Sequence, residues 1–205
     1  MRDVLSAEQI VTFDDDSPPP GTSPWVQGQA PTRDVSVVAA DPAWPQSYAQ
    51  LATRINTALG DRVLGIEHVG STAVPGLAAK PVIDIDLTVA DSRDEAAYVP
   101  ALEQHRFVLV VREPWWYEHR CLRHHEPASN VHVFSPSSPE PERHRIFRDW
   151  LRSHPEDRTR YEAAKTVAAE ETRSVNGHTM DYNGRKEAVV REIYGRAFRA
   201  LGLMN

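Results

Sequence analysis

The chain has 205 residues, a formal net charge of -6, 40% hydrophobic and 25% charged residues. This is ordinary globular usage at a length that buries a core unaided, and it excludes a disordered, collagenous or disulfide-rich chain. The acidic balance argues against general nucleic-acid or anionic-membrane binding. The single cysteine, Cys121, has no partner for an internal bridge, which points to a reducing compartment.

No stretch approaches the roughly 18 apolar residues of a membrane helix. The start, MRDVLSAEQIVTFDDD, lacks the apolar core of a signal peptide. The expectation is a soluble cytoplasmic protein. Residues 1–33 read as a flexible tail. The run Asp14-Asp15-Asp16-Ser17 leads into Pro18-Pro19-Pro20-Gly21, where prolines remove backbone donors and fix φ. Leu5 to Phe13 leaves room for a short helix docked on the body or on a partner. One domain over 34–205 follows.

Val35 to Val38 predicts a short strand. Asp41-Pro42-Ala43-Trp44-Pro45 opens a helix over 45–59, with Tyr48, Leu51, Ile55 and Leu59 at three- and four-residue spacing and Gly60 as its stop. Val63–Val69 and Pro81–Val89 predict strands, the second buried. A helix over 93–105, despite Pro100, precedes strands at Phe107–Val111, Trp115–Arg123 and Asn130–Phe134. Glu140–Glu170 predicts helix with a break at His154-Pro155, and Arg185–Leu201 a last helix. The order argues α/β or α+β: a mixed sheet flanked by helices, with a helical C-terminal part.

The stretch from Glu67 to Asp86 carries most of the chemistry. Gly70-Ser71-Thr72 follows a strand directly. Glycine there lets a ligand approach the backbone, while Ser71 and Thr72 offer hydroxyls and amides to phosphate oxygens. Lys80 offers a positive charge. Asp84 and Asp86 are separated by one residue, so strand alternation puts both carboxylates on one face, about 7 Å apart. Such a pair repels unless a cation lies between, and Mg²⁺ takes one or two carboxylates together with substrate phosphates. Two strand-end aspartates facing water are the plain alternative.

The stretch EHVGSTAVPGLAAKPVIDI closely resembles the GrpB family (UPF0157), placed in the nucleotidyltransferase superfamily of DNA-polymerase-β type. Gly70-Ser71 and Asp84-x-Asp86 match the superfamily pattern. The resemblance extends to DPAW before the first long helix, to Asn130-Val131-His132-Val133, to the helix FRDWLRSHP with Tyr161 and Lys165, and to Lys186. It implies a nucleotidyltransferase-like sheet and metal-dependent transfer of a nucleotidyl group from ATP or another NTP to a small-molecule acceptor. Asp84 and Asp86 would hold Mg²⁺ or Mn²⁺. Gly70, Ser71, Thr72, Lys80, Arg148, Lys165 and Lys186 would contact phosphate. A third carboxylate is usual in that superfamily. Here the corresponding strand has His132, a third metal ligand or a general base. The resemblance also implies an alternative, a non-catalytic accessory or folding-assistance domain, because relatives are fused to dephospho-CoA kinase.

Other residues are less specific. His119, His124, His125, His132 and His144 fit no compact zinc signature. His68 reads as a hydrogen-bonded residue holding the glycine-serine turn. Trp115-Trp116-Tyr117 is either a lip that stacks on a base or core packing. The acceptor and the oligomeric state stay open.

Overall fold

The computed structural model describes residues 5–13, 18–26 and 28–204. The expected acidic run Asp14–Ser17 lies outside the described residues. The elements are α1 (Ala7–Val11), α2 (Trp44–Leu59), β1 (Gly65–Val69), β2 (Ile83–Thr88), α3 (Val99–Gln104), β3 (Val108–Glu113), β4 (His119–His125), β5 (Ala128–Phe134), α4 (Glu140–Ser153), α5 (Pro155–Ser174) and α6 (Thr179–Ala200). No helix among the described residues is long and apolar enough to cross a membrane.

The five strands form one mixed sheet in the order β1-β2-β5-β4-β3. Only β2 and β5 run parallel, with Asp84 opposite Asn130 and Asp86 opposite His132. Alternation then sorts the two faces. Ile83, Ile85, Leu87, Val131, Val133, Leu122 and Leu109 point to one side and bury against Leu51, Ile55, Leu59 and Leu102 of α2 and α3. Burying a side chain of this size contributes about 1.5–3 kcal/mol, so this apolar face fixes the register. The other face carries Asp84, Asp86, Asn130 and His132. Helix α4 crosses it at the β1 edge and packs with α5 and α6 through Leu151, Tyr161 and Ile193.

Four expectations change. Val35–Val38 forms no strand: only Val38 bridges to Ala79, because Val35 packs instead on Ala168, Ala169 and Tyr182. The strand expected from Trp115 begins at His119, since Trp115–Tyr117 is the turn that reverses β3 into β4, with positive φ at Tyr117 and Glu118. The helix expected over 93–105 is a 3-10 turn at Glu95–Ala97 followed by α3, with Pro100 in its first turn where no amide donor is needed. The last helix starts earlier, at Thr179, where His178 and Asp181 form a reciprocal cap.

The segment Leu5–Phe13 takes the docked course. Ile10 and Phe13 pack on Ile146, Tyr194 and Phe198. The buried guanidinium of Arg143 donates to the carbonyl oxygens of Gln9 and Ile10, both at 2.7 Å, and to that of Thr12. Carbonyls at a helix end lack partners, so a cation there satisfies them and opposes the helix dipole. Further along, Trp25 bridges to Val111 at the sheet edge and Thr32 accepts from Thr179. Removing residues 1–13 is expected to lower the unfolding free energy by about 2–4 kcal/mol while the domain still folds. Urea unfolding followed by circular dichroism reads this; an unchanged midpoint contradicts it.

Candidate functional site

The two aspartates of β2 share a face but not an environment. Asp86 is 1% exposed. Its carboxylate accepts from His144 Nδ1, at 3.1 Å and 2.9 Å from the two oxygens. Burial disfavours the His144 imidazolium, but Asp86 and then Glu140 outweigh it and lift its pKa to about 9. Asp86 therefore already has a cation. Asp84 is more open, with a side chain 32% exposed. Its Oδ1 accepts from Asn130 Nδ2 at 3.0 Å. Burial pushes its carboxyl up, but His132, Asn130 and Lys80 together hold it below the ordinary value.

The glycine-serine turn lies against Asp84. Gly70 has φ 69°, and a Cβ there would sit 2.5 Å from Asp84 Oδ2. Only glycine allows this approach. Ser71–Ala73 is a single 3-10 turn. The Thr72 hydroxyl is committed inward, 3.0 Å from His68 Nε2 and 3.4 Å from the Val82 carbonyl oxygen. His68 stacks on Tyr48 with ring centroids 4.7 Å apart, and burial lowers its pKa to about 4. His68 thus holds the turn as a neutral ring, and Thr72 has its amide rather than its hydroxyl to offer.

Only three of the 23 basic residues are lysines: Lys80, Lys165 and Lys186. They come from three distant parts of the chain and converge. Lys80 Nζ lies 5.6 Å from the Tyr182 ring centroid, and Lys186 Nζ lies 5.3 Å from Tyr182 and 5.9 Å from Tyr161. Lys165 Nζ sits 4.8 Å over Tyr161 and donates to the Ala78 carbonyl oxygen. Among the described residues none of the three forms an ion pair. Burial and then Lys186 lower the Lys165 pKa to about 7. Burial also lowers that of Lys80, against the pull of Asp84. Arg148 is placed differently: it bonds Glu67 at 2.7 Å, Asp149 at 2.8 Å and the His68 carbonyl oxygen at 2.9 Å. It ties α4 to β1.

His132 Nε2 lies 3.9 Å from Asp84 Oδ1. Its Nδ1 is 3.0 Å from His119 Nε2, and His119 Nδ1 is 2.7 Å from Glu113 Oε2. Burial keeps the His119 ring neutral, with a pKa of about 4. Trp116 closes this group edge-on against His119 and Phe134. Sequence reasoning assigned no role to His144, Glu113 or Asn130. The one available signal was that His144 and Arg148, four apart on α4, share a face. Glu113 and His119 meet only through the β3–β4 register.

This donor set fits a hard cation at one point. Asp84 has an accessible carboxylate, as Mg²⁺ or Mn²⁺ carried by phosphate requires. Asp86 and His132 do not complete a ligand set around it, because Asp86 is buried under His144. Among the described residues no group of three or more His, Cys, Asp or Glu is arranged to hold a metal ion.

A family model described as GrpB protein matches residues 34–196. The chain is 44% identical over 164 residues to a UPF0157 protein of Halalkalibacterium halodurans, covering 80% of this chain and 82% of that one. It is 34% identical over 191 residues to a dephospho-CoA kinase of Mycolicibacterium paratuberculosis, covering 80% of this chain but 46% of the kinase. Its fold is similar to the crystal structure of conserved protein GrpB from Enterococcus faecalis, with a TM-score of 0.66 and 26% identity over 81% of this chain and 99% of that one.

The His144–Asp86 pair has a pH signature. A histidine whose folded pKa is raised to about 9 contributes stability that is fully present below its unfolded value of 6.5 and is lost as pH rises through 9. The wild type is therefore expected to lose stability across this window relative to His144→Asn. Thermal melts of both proteins from pH 6 to pH 10 test it, and parallel curves contradict it.

Proposed function

The chain belongs to the GrpB family, and on that footing we propose that it binds a nucleoside triphosphate and transfers its nucleotidyl group to a small-molecule acceptor. The convergence of all three lysines on the rings of Tyr161 and Tyr182, with Lys80 in electrostatic reach of Asp84, carries this reading. Arginine serves the ion pairs elsewhere in this protein, as at Arg112–Glu95 and Arg196–Asp157. Lysine is a compact point charge suited to phosphate oxygens. Three like charges held together with no ion pair among the described residues are stabilised by a polyanion. Gly70 is closed by the Asp84 carboxylate, which leaves the Ser71 hydroxyl and the amides of the turn to offer phosphate oxygens.

In the transfer, the acceptor's O–H or N–H loses its proton to a base as the new bond to the α-phosphorus forms. The P–O bond to pyrophosphate breaks in line, and the pyrophosphate leaves with its charge held by Lys80 and Lys186. His132 Nε2, 3.9 Å from Asp84 Oδ1, is the base. A Mg²⁺ or Mn²⁺ ion arriving with the phosphates would meet Asp84 and supply further charge neutralisation. Asp86 holds His144 and, through it, the position of α4 over the site. A carboxylate acceptor loses no proton at this step, and the acyl group of the resulting mixed anhydride can then pass to an amine, which gives up a proton as the nucleoside monophosphate leaves.

A second reading is favoured by one observation. The same domain corresponds to less than half of a protein named dephospho-CoA kinase, so it also fits an accessory domain that binds a nucleotide without turning it over. Pyrophosphate release separates the two.

For the binding step common to both, Lys80→Met and Lys186→Met are each expected to weaken ATP binding about tenfold or more with the fold intact. Asp84→Asn is expected to remove the gain from adding Mg²⁺ or Mn²⁺. Thermal shift reads both, since ligand at 100 times its Kd adds about 2.7 kcal/mol. Equal shifts in wild type and variants would sink the site assignment.

A further inference from the structure

Glu113, His119 and His132 form a chain of hydrogen bonds from the outer strand to the cleft, with steps of 2.7 Å and 3.0 Å. Burial keeps the His119 ring neutral, and with Glu113 ionised the direction of each bond follows. A carboxylate only accepts, so the hydrogen lies on His119 Nδ1. A neutral ring has one hydrogen, so His119 Nε2 carries a lone pair and accepts from His132 Nδ1. The hydrogen on His132 is then held at Nδ1, and Nε2 is the nitrogen left facing Asp84 across 3.9 Å. The rings cannot easily turn out of this arrangement. His119 is 4% exposed. It stacks on His132 with centroids 5.2 Å apart and on Phe134 at 5.0 Å, and Trp116 stands edge-on to it at 5.1 Å.

We infer that Glu113 and His119 are positioning residues, which lock His132 in the tautomer whose Nε2 lone pair takes the proton of an acceptor hydroxyl or amine. The assignment of that proton rests on the nucleotidyl-transfer reading; the locked tautomer does not. In the transfer step the acceptor's proton moves to His132 Nε2, its oxygen or nitrogen bonds the α-phosphorus, and pyrophosphate departs. The imidazolium so formed lies beside the Asp84 carboxylate. Without the lock, a neutral imidazole distributes its hydrogen over both nitrogens, and a ring with hydrogen on Nε2 cannot accept there. A nitrogen held with a lone pair suits acceptors that bring a hydrogen to donate, hydroxyls and amines ahead of carboxylates.

Long-range ¹H–¹⁵N correlation spectra of uniformly labelled protein test this, with the ring assigned by comparison with His132→Gln and recorded at a pH where the ring is neutral. The expected result is hydrogen on Nδ1 alone in the wild type and in Glu113→Gln, whose amide oxygen still accepts from His119. His119→Ala and Glu113→Ala are expected to show both tautomers. Where turnover is measured, His119→Ala and Glu113→Ala should each lower kcat about 10²–10⁴-fold with KM for the nucleotide unchanged, and Glu113→Gln should keep most of the wild-type kcat. Hydrogen on Nε2 in the wild type, or an unaltered tautomer in His119→Ala, overturns the positioning role. The expected spectra in a protein that binds no nucleotide overturn the transfer reading and leave the positioning intact.

Discussion

Two carboxylates on the same face of one short strand must each find a positive partner, and the rest of the structure is arranged around how they do so. At the spacing of Asp84 and Asp86 their repulsion is felt in full on a half-covered sheet face. Asp86 is buried and neutralised by His144, so helix α4 is held against the sheet by a charge-assisted bond. Asp84 stays open, with one oxygen on Asn130 and the other against Gly70. One aspartate has become structural and the other has stayed available, although the sequence writes them as a matched pair.

That division propagates outward. The residue before His144 is Arg143, whose guanidinium holds the end of α1, and Glu140 lies beside both. The N-terminal arm, the long helix and the buried aspartate therefore form one connected group. The three lysines sit over Tyr161 and Tyr182 and form no ion pair among the described residues. A buried lysine with a pKa near 7 is destabilising in the ligand-free protein. Such a charge is tolerated where it serves a ligand, and an anion beside it would relieve it.

The sheet and most of the site were legible in the sequence because their signals are local. Period-two alternation in Ile83–Val89 marked a buried strand and put Asp84 and Asp86 on one face; Gly70 read as room for a ligand, and the Asp84 carboxylate takes that room. What stayed hidden depends on register and tertiary contact. Glu113 and His119 are neighbours only because a turn with two left-handed residues reverses β3 into β4. Thr72 read as a phosphate ligand until His68 was found to hold its hydroxyl. Arg148 read as a cation for phosphate, and Glu67 and Asp149 hold it. The arm over Leu5–Phe13 carried only one apolar turn, too little to distinguish docking from disorder without Arg143 in view.

The account turns on whether a triphosphate seats against the lysine cluster. A nearby anion favours the charged amine, and burial lowers the Lys165 pKa to about 7, so nucleotide binding at pH 7 should draw in a fraction of a proton. Calorimetric titration of ATP in buffers of different ionisation enthalpy measures this directly. The predicted result is net proton uptake at pH 7 that disappears in Lys165→Met. Binding with no proton uptake, or with the same uptake in Lys165→Met, would contradict a phosphate site at these lysines.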